Sequence, residues 1–545
     1  MQDARELLGR AQALFDRARD HVRDTAVGDP IDTAQLQVYD LAFSAAELTG
    51  ASALLDYAEL QASPDDRVLK ARIAQAFCAE TVTNLVGRLA ARPRDYGLSA
   101  ADLDLGQGAF CDAHQSAAEL ASLGEAFLER RDKPLADHLD EEKALMRETF
   151  RQFADEVVAP AAEAVHREDK MIPDVIIDGL RDLGCFGLSV PERYGGLKPD
   201  DHEDSLGMVV VTEELSRGSL GAAGSLITRP EIMARALLEG GTDAQKDKWL
   251  PALAAGDPLC AISVTEPGTG SDVASVALKA TLTDDGWLLN GGKTWCTFAG
   301  KAGVILVLAR TDAEASPPHR GLSLFVVEKP TTDAHEFEYR GEGGGTMSGR
   351  AIPTIGYRGM HSYEMFYDDF FVPNENLVGE AGGEGRGFYY TMRGFMGGRL
   401  QTAARACGLM QAAFEKAAAY AEDRVVFNQP VAAYPLTQAK LAKMGIYITA
   451  CRQFAYTVAR LMDQDQGQTE ASLVKLFACK VAEWVCREAV QIHGGLGYAE
   501  ESDVSRYYVD ARVLSIFEGA EETLALRVVG KALLAPQQRP EHQSS

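Results

Sequence analysis

The hydrophobic period of this chain changes twice, and those changes limit the fold more than any single motif. Up to about residue 258, apolar residues recur at three- and four-residue steps, the spacing of one helix face. From 259 to 375 they fall in short β-type runs: "LCAISVTE", "VALKATLTDDGWLLNGGKTWCTF", "AGVILVLART", "GLSLFVVEK" and "YEMFYDDFFVP". No helical stretch separates these runs, so they predict an antiparallel, barrel-like sheet and not a doubly wound one. From about 376 to 535 the helical period returns. There "ASLVKLFACKVAEWVCREAV" puts Leu473, Leu476, Phe477, Val481, Trp484 and Val485 on one face. Long helices joined by short Gly or Pro breaks predict a four-helix bundle.

The expected chain is therefore mostly α with a central antiparallel β-barrel. It divides into a helical extension (1–138), a helical domain (139–258), the barrel (259–375), the bundle (376–535) and a flexible tail (536–545). Ser63-Pro64-Asp65-Asp66 opens one helix with a capping hydroxyl and a first-turn proline, and Arg92-Pro93 stops it. Thr242 caps another. Asp285-Gly286 marks a hairpin turn. "RGEGGGTMSGRAIP" reads as a mobile glycine-rich loop.

Composition removes several function classes. The net charge is −26 and no run of Lys and Arg offsets it, so neither nucleic acid nor anionic lipid is an expected partner. No stretch approaches the roughly 18 apolar residues of a membrane span. The amino terminus lacks a secretory h-region. Nine cysteines without a CxxC pair fit reduced thiols and a cytoplasmic protein. There is no P-loop, GxGxxG, HExxH or GxSxG. The histidines look isolated, so no metal site is expected. Ser472-x-x-Lys475 fits S-x-x-K but lies mid-helix without companion motifs, and is set aside.

Three stretches carry chemistry. In "SVTEPGTGSDVAS" a strand ends in a loop of free backbone donors and hydroxyls, suited to phosphate or a heterocycle edge. In "GKTWCTFAG", Trp295 and Thr297 alternate with Cys296 and share a strand face, which suits a flat aromatic ligand or plain core packing. In "RVLSIFEGAEET", Glu518 follows an apolar run. It either opens the next helix or is held for chemistry.

With "RVVFNQP" and "AVQIHGGLGY" added, these stretches come in the order found in the acyl-CoA dehydrogenase family. The chain resembles that family over about residues 140–535. The resemblance implies FAD as cofactor and α,β-dehydrogenation of an acyl-CoA thioester. Val264 and Thr265 would reach the flavin pyrimidine, Trp295 would cover the ring, Thr297 would bond near its reactive nitrogen, and Ser271 would lie near the pyrophosphate. Arg424, Phe427, Gln491, Gly494 and Gly495 match contacts made to FAD across a dimer interface, so a homodimer or a dimer of dimers is implied. An electron-transferring flavoprotein is the implied electron acceptor.

Glu518 matches the base that removes the α-proton while the β-hydride passes to flavin N5. Gly519 follows it, and Arg399 matches an arginine beside the site. Some relatives carry the base before that arginine, where this chain has Gly398. The thioester oxygen would be polarised by the Glu518 N–H and a ribityl hydroxyl. Ile516 and Phe517 would give the base an apolar setting.

The chain departs from the family at Ala520, where threonine is usual, at Asn428, where glycine is common, and in its amino-terminal extension. These departures resemble the branch that acts on (2S)-methylsuccinyl-CoA and makes mesaconyl-CoA in the ethylmalonyl-CoA route of acetate assimilation. A second carboxylate on that substrate needs a cation. Arg229, in "SLITRPEI", and Tyr363 are the expected clamps. A plain acyl-CoA dehydrogenase, an oxidase and a DNA-associated flavoprotein of the same fold are the alternatives.

Overall fold

The computed structural model describes residues 1–131 and 135–535; the tail expected at 536–545 lies outside the described residues.

The first region is helical, with long helices Gln2–Thr25, Gln35–Glu59, Pro64–Ala91 and Ala117–Glu129. The Ser63 side chain accepts from the Asp66 N–H at 3.2 Å and Pro64 sits in the first turn, so this helix starts as its residues dictate. The region does not fold around a core of its own. Its apolar faces pack onto the carboxyl-terminal bundle, with Phe77 against Phe477 (5.6 Å between ring centroids) and Phe127 against Phe414 (6.2 Å). The two layers approach closely at Gly124, where a Cβ would stand 2.1 Å from the Gln438 carbonyl. One buried cluster runs through the extension, the following helical region and the bundle.

The second region includes Glu141–Phe153, Ser205–Gly218, Thr228–Gly240 and Asp243–Ala255. Thr242 and Gln245 form a reciprocal capping box. The Gln245 amide also donates to the Glu375 and Leu377 carbonyls (2.8 and 2.7 Å), which ties this helix to the end of the sheet.

The sheet has eight strands: β1 Cys260–Ser263, β2 Lys279–Leu282, β3 Gly286–Thr297, β4 Val304–Arg310, β5 Leu322–Glu328, β6 Glu336–Arg340, β7 Thr346–Ala351 and β8 Ser362–Pro373. It curls into a half-barrel in the order β1-β4-β2-β3-β8-β7-β6, with β5 on β4. Most pairs are antiparallel, but β1 runs parallel to β4 (Cys260↔Val304 to Ser263↔Val307), and β2 meets β4 in parallel at one pair. The long loop after β1 lets the β2–β3 hairpin fold to the far side of β4, leaving β1 to pair with a non-consecutive strand. The expected mobile loop is instead a second hairpin, β6–β7, paired from Glu336↔Arg350 to Arg340↔Thr346. Its turn holds Gly344 and Gly345 at φ +105° and +76°, left-handed backbone that glycine adopts without strain.

The bundle comprises Gly387–Asp423, Pro435–Met462, Gln468–His493 and Asp503–Leu514, with a last helical stretch beginning at Glu521.

Candidate active site

Glu518 stands in the bend between two helices. The helix Asp503–Leu514 has ended, and the next starts at Glu521 with Ala520 as its cap. Glu521 and Glu522 occupy that first turn, so Glu518 does not open the helix. It takes φ +53° and Gly519 takes φ +100°. A left-handed glutamate is a cost the surroundings must offset, about 1–3 kcal/mol. Its carboxylate has no hydrogen bond or ion pair among the described residues. It lies against Gly398, where a Cβ would stand 3.0 Å from Oε2. The apolar setting comes from one neighbour only. Phe517 packs edge-on to Tyr357 (5.5 Å), whereas Ile516 is 53% exposed.

Lys475, Arg399 and Arg405 lie around this bend, with Arg229 beyond Arg405, and none of the four makes an ion pair among the described residues. Lys475, from Gln468–His493, donates to the Phe517 carbonyl at 2.6 Å and to the Gly519 carbonyl. Burial, set against the nearby Cys479 and Glu518, brings its ammonium down to about 8. Arg399 donates to the Ser472 hydroxyl at 3.2 Å, and its Nε has no partner. Arg405 lies under the Phe517 ring (5.1 Å), bonded to the Thr228 hydroxyl, again with an unpartnered Nε. Burial pulls both guanidiniums below their ordinary value, and Glu518 opposes it. Arg229 is 6% exposed and donates Nη1 to the Ser225 carbonyl at 2.8 Å. Arg229 thus stands as an uncompensated cation, as a carboxylate clamp requires. Tyr363 does not fit that role. It is fully buried in the barrel core, with its hydroxyl on the Ala334 carbonyl at 3.0 Å. On the inward face of β8 its ring fills the sheet interior.

The strand edge beside this cluster is a ledge. A bulge between Lys293 and Cys296 in the β3–β8 register puts Trp295 at φ +56° and turns its indole outward, 55% exposed. A bulge re-aims a side chain in this way. Cys296 points inward, and the Thr297 hydroxyl pairs with that of Ser362 at 2.8 Å. The loop after β1 is fixed by a buried ion pair: Lys293 Nζ reaches both Glu266 and the Val264 carbonyl at 2.8 Å, and Glu266 accepts from the Ala277 and Leu278 N–H groups. The Val264 carbonyl is therefore already engaged, whereas the Thr265 hydroxyl has no partner among the described residues. Ser271 accepts from Thr523 at 2.9 Å, so a hydroxyl five residues past Glu518 stands where Ala520 supplies none. Gly268 and Gly270 face open space. An uncovered indole beside a hydroxyl pair, a second hydroxyl pair and an open glycine loop suit the ring and pyrophosphate of FAD.

The other expected FAD residues lie elsewhere. Tyr420 stacks on His493 (4.3 Å), which brings Arg424 and Phe427 to the same end of the bundle as Gln491, Gly494 and Gly495. Arg424 follows Arg399 by 25 residues, roughly 37 Å along a helix axis. Phe427 and Tyr498 are each 89% exposed there. Phe427 and Asn428 take φ +50° and +69° in a two-residue hairpin turn, a conformation asparagine tolerates in place of glycine.

Several residues escaped the sequence-based expectation. Lys475 bonds the bend and Ser472 accepts from Arg399, so the S-x-x-K spacing set aside earlier carries structure. Arg405 interrupts the small-residue run "TAARACGLM", the same signal that drew notice to Glu518. The histidines are not all isolated: Asp169, His335 and His361 bring ligand atoms within 4.8 Å of one another. Asp169 is already engaged, hydrogen-bonded to His361 (3.2 Å) and paired with Arg358 (3.5 Å), so the group ties the helical region to the sheet through protein contacts.

Three family models match the chain: acyl-CoA dehydrogenase N-terminal domain over residues 140–257, middle domain over 261–370 and C-terminal domain over 385–534. Over 403 residues the chain is 46% identical to the (2S)-methylsuccinyl-CoA dehydrogenase of Cereibacter sphaeroides, covering 73% of this chain and 71% of that one. The solved butyryl-CoA dehydrogenase of Megasphaera elsdenii matches with TM-score 0.66 at 32% identity, over 73% of this chain and 100% of its own. A glutaryl-CoA dehydrogenase of Mycobacterium smegmatis, in complex with FADH2, matches with TM-score 0.63 at 26% identity, over 72% and 95%.

Proposed function

The chain belongs to the acyl-CoA dehydrogenase family, and on that premise we propose that it oxidises (2S)-methylsuccinyl-CoA to mesaconyl-CoA. It is an FAD-dependent oxidoreductase acting on a CH–CH bond of an acyl-CoA. The observation that carries the narrower substrate is Arg229, a buried guanidinium without a carboxylate partner among the described residues. Such a charge is costly unless paired, and a substrate with a second carboxylate would pair it. The name of the 46% identical relative supports the same reading.

In this reading Glu518 takes the α-proton. Gly398 leaves its carboxylate room, and no competing hydrogen bond holds it. The Glu518 N–H, which meets no acceptor among the described residues, donates to the thioester oxygen as negative charge develops there. Trp295, Thr297, Thr265, Ser271 and Thr523 would hold FAD, which would supply the acceptor for the β-hydride. Arg424, Phe427, Gln491, Gly494 and Gly495, at the far end of the bundle, would serve the FAD of a second copy. An electron-transferring flavoprotein would be the electron acceptor.

The test has two arms. Glu518→Gln keeps yellow, FAD-bound protein, and turnover falls by about 10²–10⁴-fold, the usual worth of a general base. Arg229→Met raises KM for methylsuccinyl-CoA by about tenfold or more, the loss of a charge-assisted bond, and leaves butyryl-CoA oxidation little changed. Wild-type turnover in the first variant removes the base. An unchanged KM in the second removes Arg229 as the carboxylate clamp.

A further inference from the structure

The S-x-x-K pair has no part in the function argued so far, yet Lys475 reaches the catalytic bend and Ser472 holds Arg399. Ser472 and Lys475 are three residues apart on the helix Gln468–His493 and share a face. Ser472 receives Arg399, and Lys475 reaches the carbonyls on either side of Glu518. Lys475 is 1% exposed. One buried ammonium is thus divided between the Phe517 and Gly519 carbonyls, and the residue between them is the only one of the three that leaves its own groups free.

We propose that Lys475 is a positioning residue that holds Glu518 in its left-handed conformation, aiming both the carboxylate and the Glu518 N–H at the substrate. In a trans peptide the C=O and N–H point in opposite directions. Drawing the Phe517 carbonyl toward Lys475 therefore turns the Glu518 N–H away from the helix, toward the open side of the bend. Drawing in the Gly519 carbonyl fixes the Gly519–Ala520 peptide, and with both outer peptides held the Glu518–Gly519 unit between them keeps φ +53° at Glu518 and +100° at Gly519. The same ammonium sets the electrostatics. The charged and titratable groups around it are Glu518 from the bend, Arg399 and Arg405 from Gly387–Asp423, and Cys479 on its own helix. Cys479 is buried and holds its proton to about 12. Glu518 is therefore the one carboxylate that Lys475 faces among the described residues.

This inference rests on Glu518 being the base, and the experiment separates the two. Purified FAD-loaded enzyme is assayed with methylsuccinyl-CoA and an artificial acceptor for wild type, Lys475→Met, Lys475→Arg and Glu518→Gln. Lys475→Met keeps FAD and an unchanged KM but loses about tenfold or more in kcat, the scale of a misplaced catalytic group. Lys475→Arg, which keeps charge and donors, restores part of the rate. If Lys475→Met does not fold, Lys475→Gln, which keeps an amide donor, carries the same expectation. Wild-type kcat in the neutral variants, with Glu518→Gln inactive, overturns the role of Lys475 and leaves the base intact. An active Glu518→Gln overturns the base itself.

Discussion

Gly398 and Glu518 face each other across the gap between Gly387–Asp423 and the bend at 515–520, and neither makes sense alone. The carboxylate occupies the space a side chain at 398 would need, since a Cβ would stand 3.0 Å from Oε2. Gly398→Ala tests this at the scale of one methyl group. The added carbon displaces the carboxylate by a few tenths of an ångström, and kcat drops by about tenfold while FAD content is kept; near-attack geometry is that sensitive. Steady-state kinetics with flavin absorbance checks it, and an unchanged kcat means the carboxylate acts from elsewhere. The sequence pointed to Glu518 because a charge ended an apolar run. It did not show Lys475 or Arg405, because a cation inside a helical stripe looks the same whether it snorkels to water or is buried.

At the scale of elements, the amino-terminal helices and the bundle are joined by close backbone approach as much as by apolar area. Gly124 on Ala117–Glu129 meets the Gln438 backbone of Pro435–Met462. A branched residue there cannot be absorbed by a flexible side chain, because the obstacle is a carbonyl. Gly124→Val costs about 1–3 kcal/mol, the usual range for overpacking, seen as a lower melting midpoint and earlier proteolysis within residues 1–131. A midpoint equal to wild type would mean the two layers separate freely. The sheet teaches a related lesson. Its strands were legible as short alternating runs, but the parallel β1–β4 pair was not. Period-2 alternation tells which face is buried and says nothing about which neighbour a strand takes. The β6–β7 hairpin was hidden by its glycines, which mark a turn and a mobile loop alike.

For the whole molecule, the buried cysteines and lysines set a pH dependence of stability. Burial raises the thiols: Cys78, Cys260, Cys296 and Cys479 reach about 12, and Cys185, Cys407, Cys451 and Cys486 go further. In the unfolded chain they ionise near 9. Their contribution is whole below pH 9 and is lost as pH rises above it, because the unfolded state then binds fewer protons. Burial lowers Lys293, Lys329 and Lys475 to about 8 from 10.5, which adds stability between pH 8 and 10.5. Eight thiols outweigh three ammoniums. Thermal melting under reducing conditions should show the midpoint falling between pH 9 and 10.5. A midpoint that rises there would mean the lysines dominate.

Local pattern by itself marked the helical segments and most of the β ones, and it left Glu518, after Ser515-Ile516-Phe517, either as a helix-opening acid or as a group held for chemistry. Those are properties of neighbours in the chain, written in period, caps and turns. Tertiary structure decided what surrounds that carboxylate: a glycine over a hundred residues upstream, an ammonium from a third helix, and arginines that make no ion pair among the described residues. Charge pairing and close approach depend on which surfaces fold against each other, and no window along the chain contains both partners.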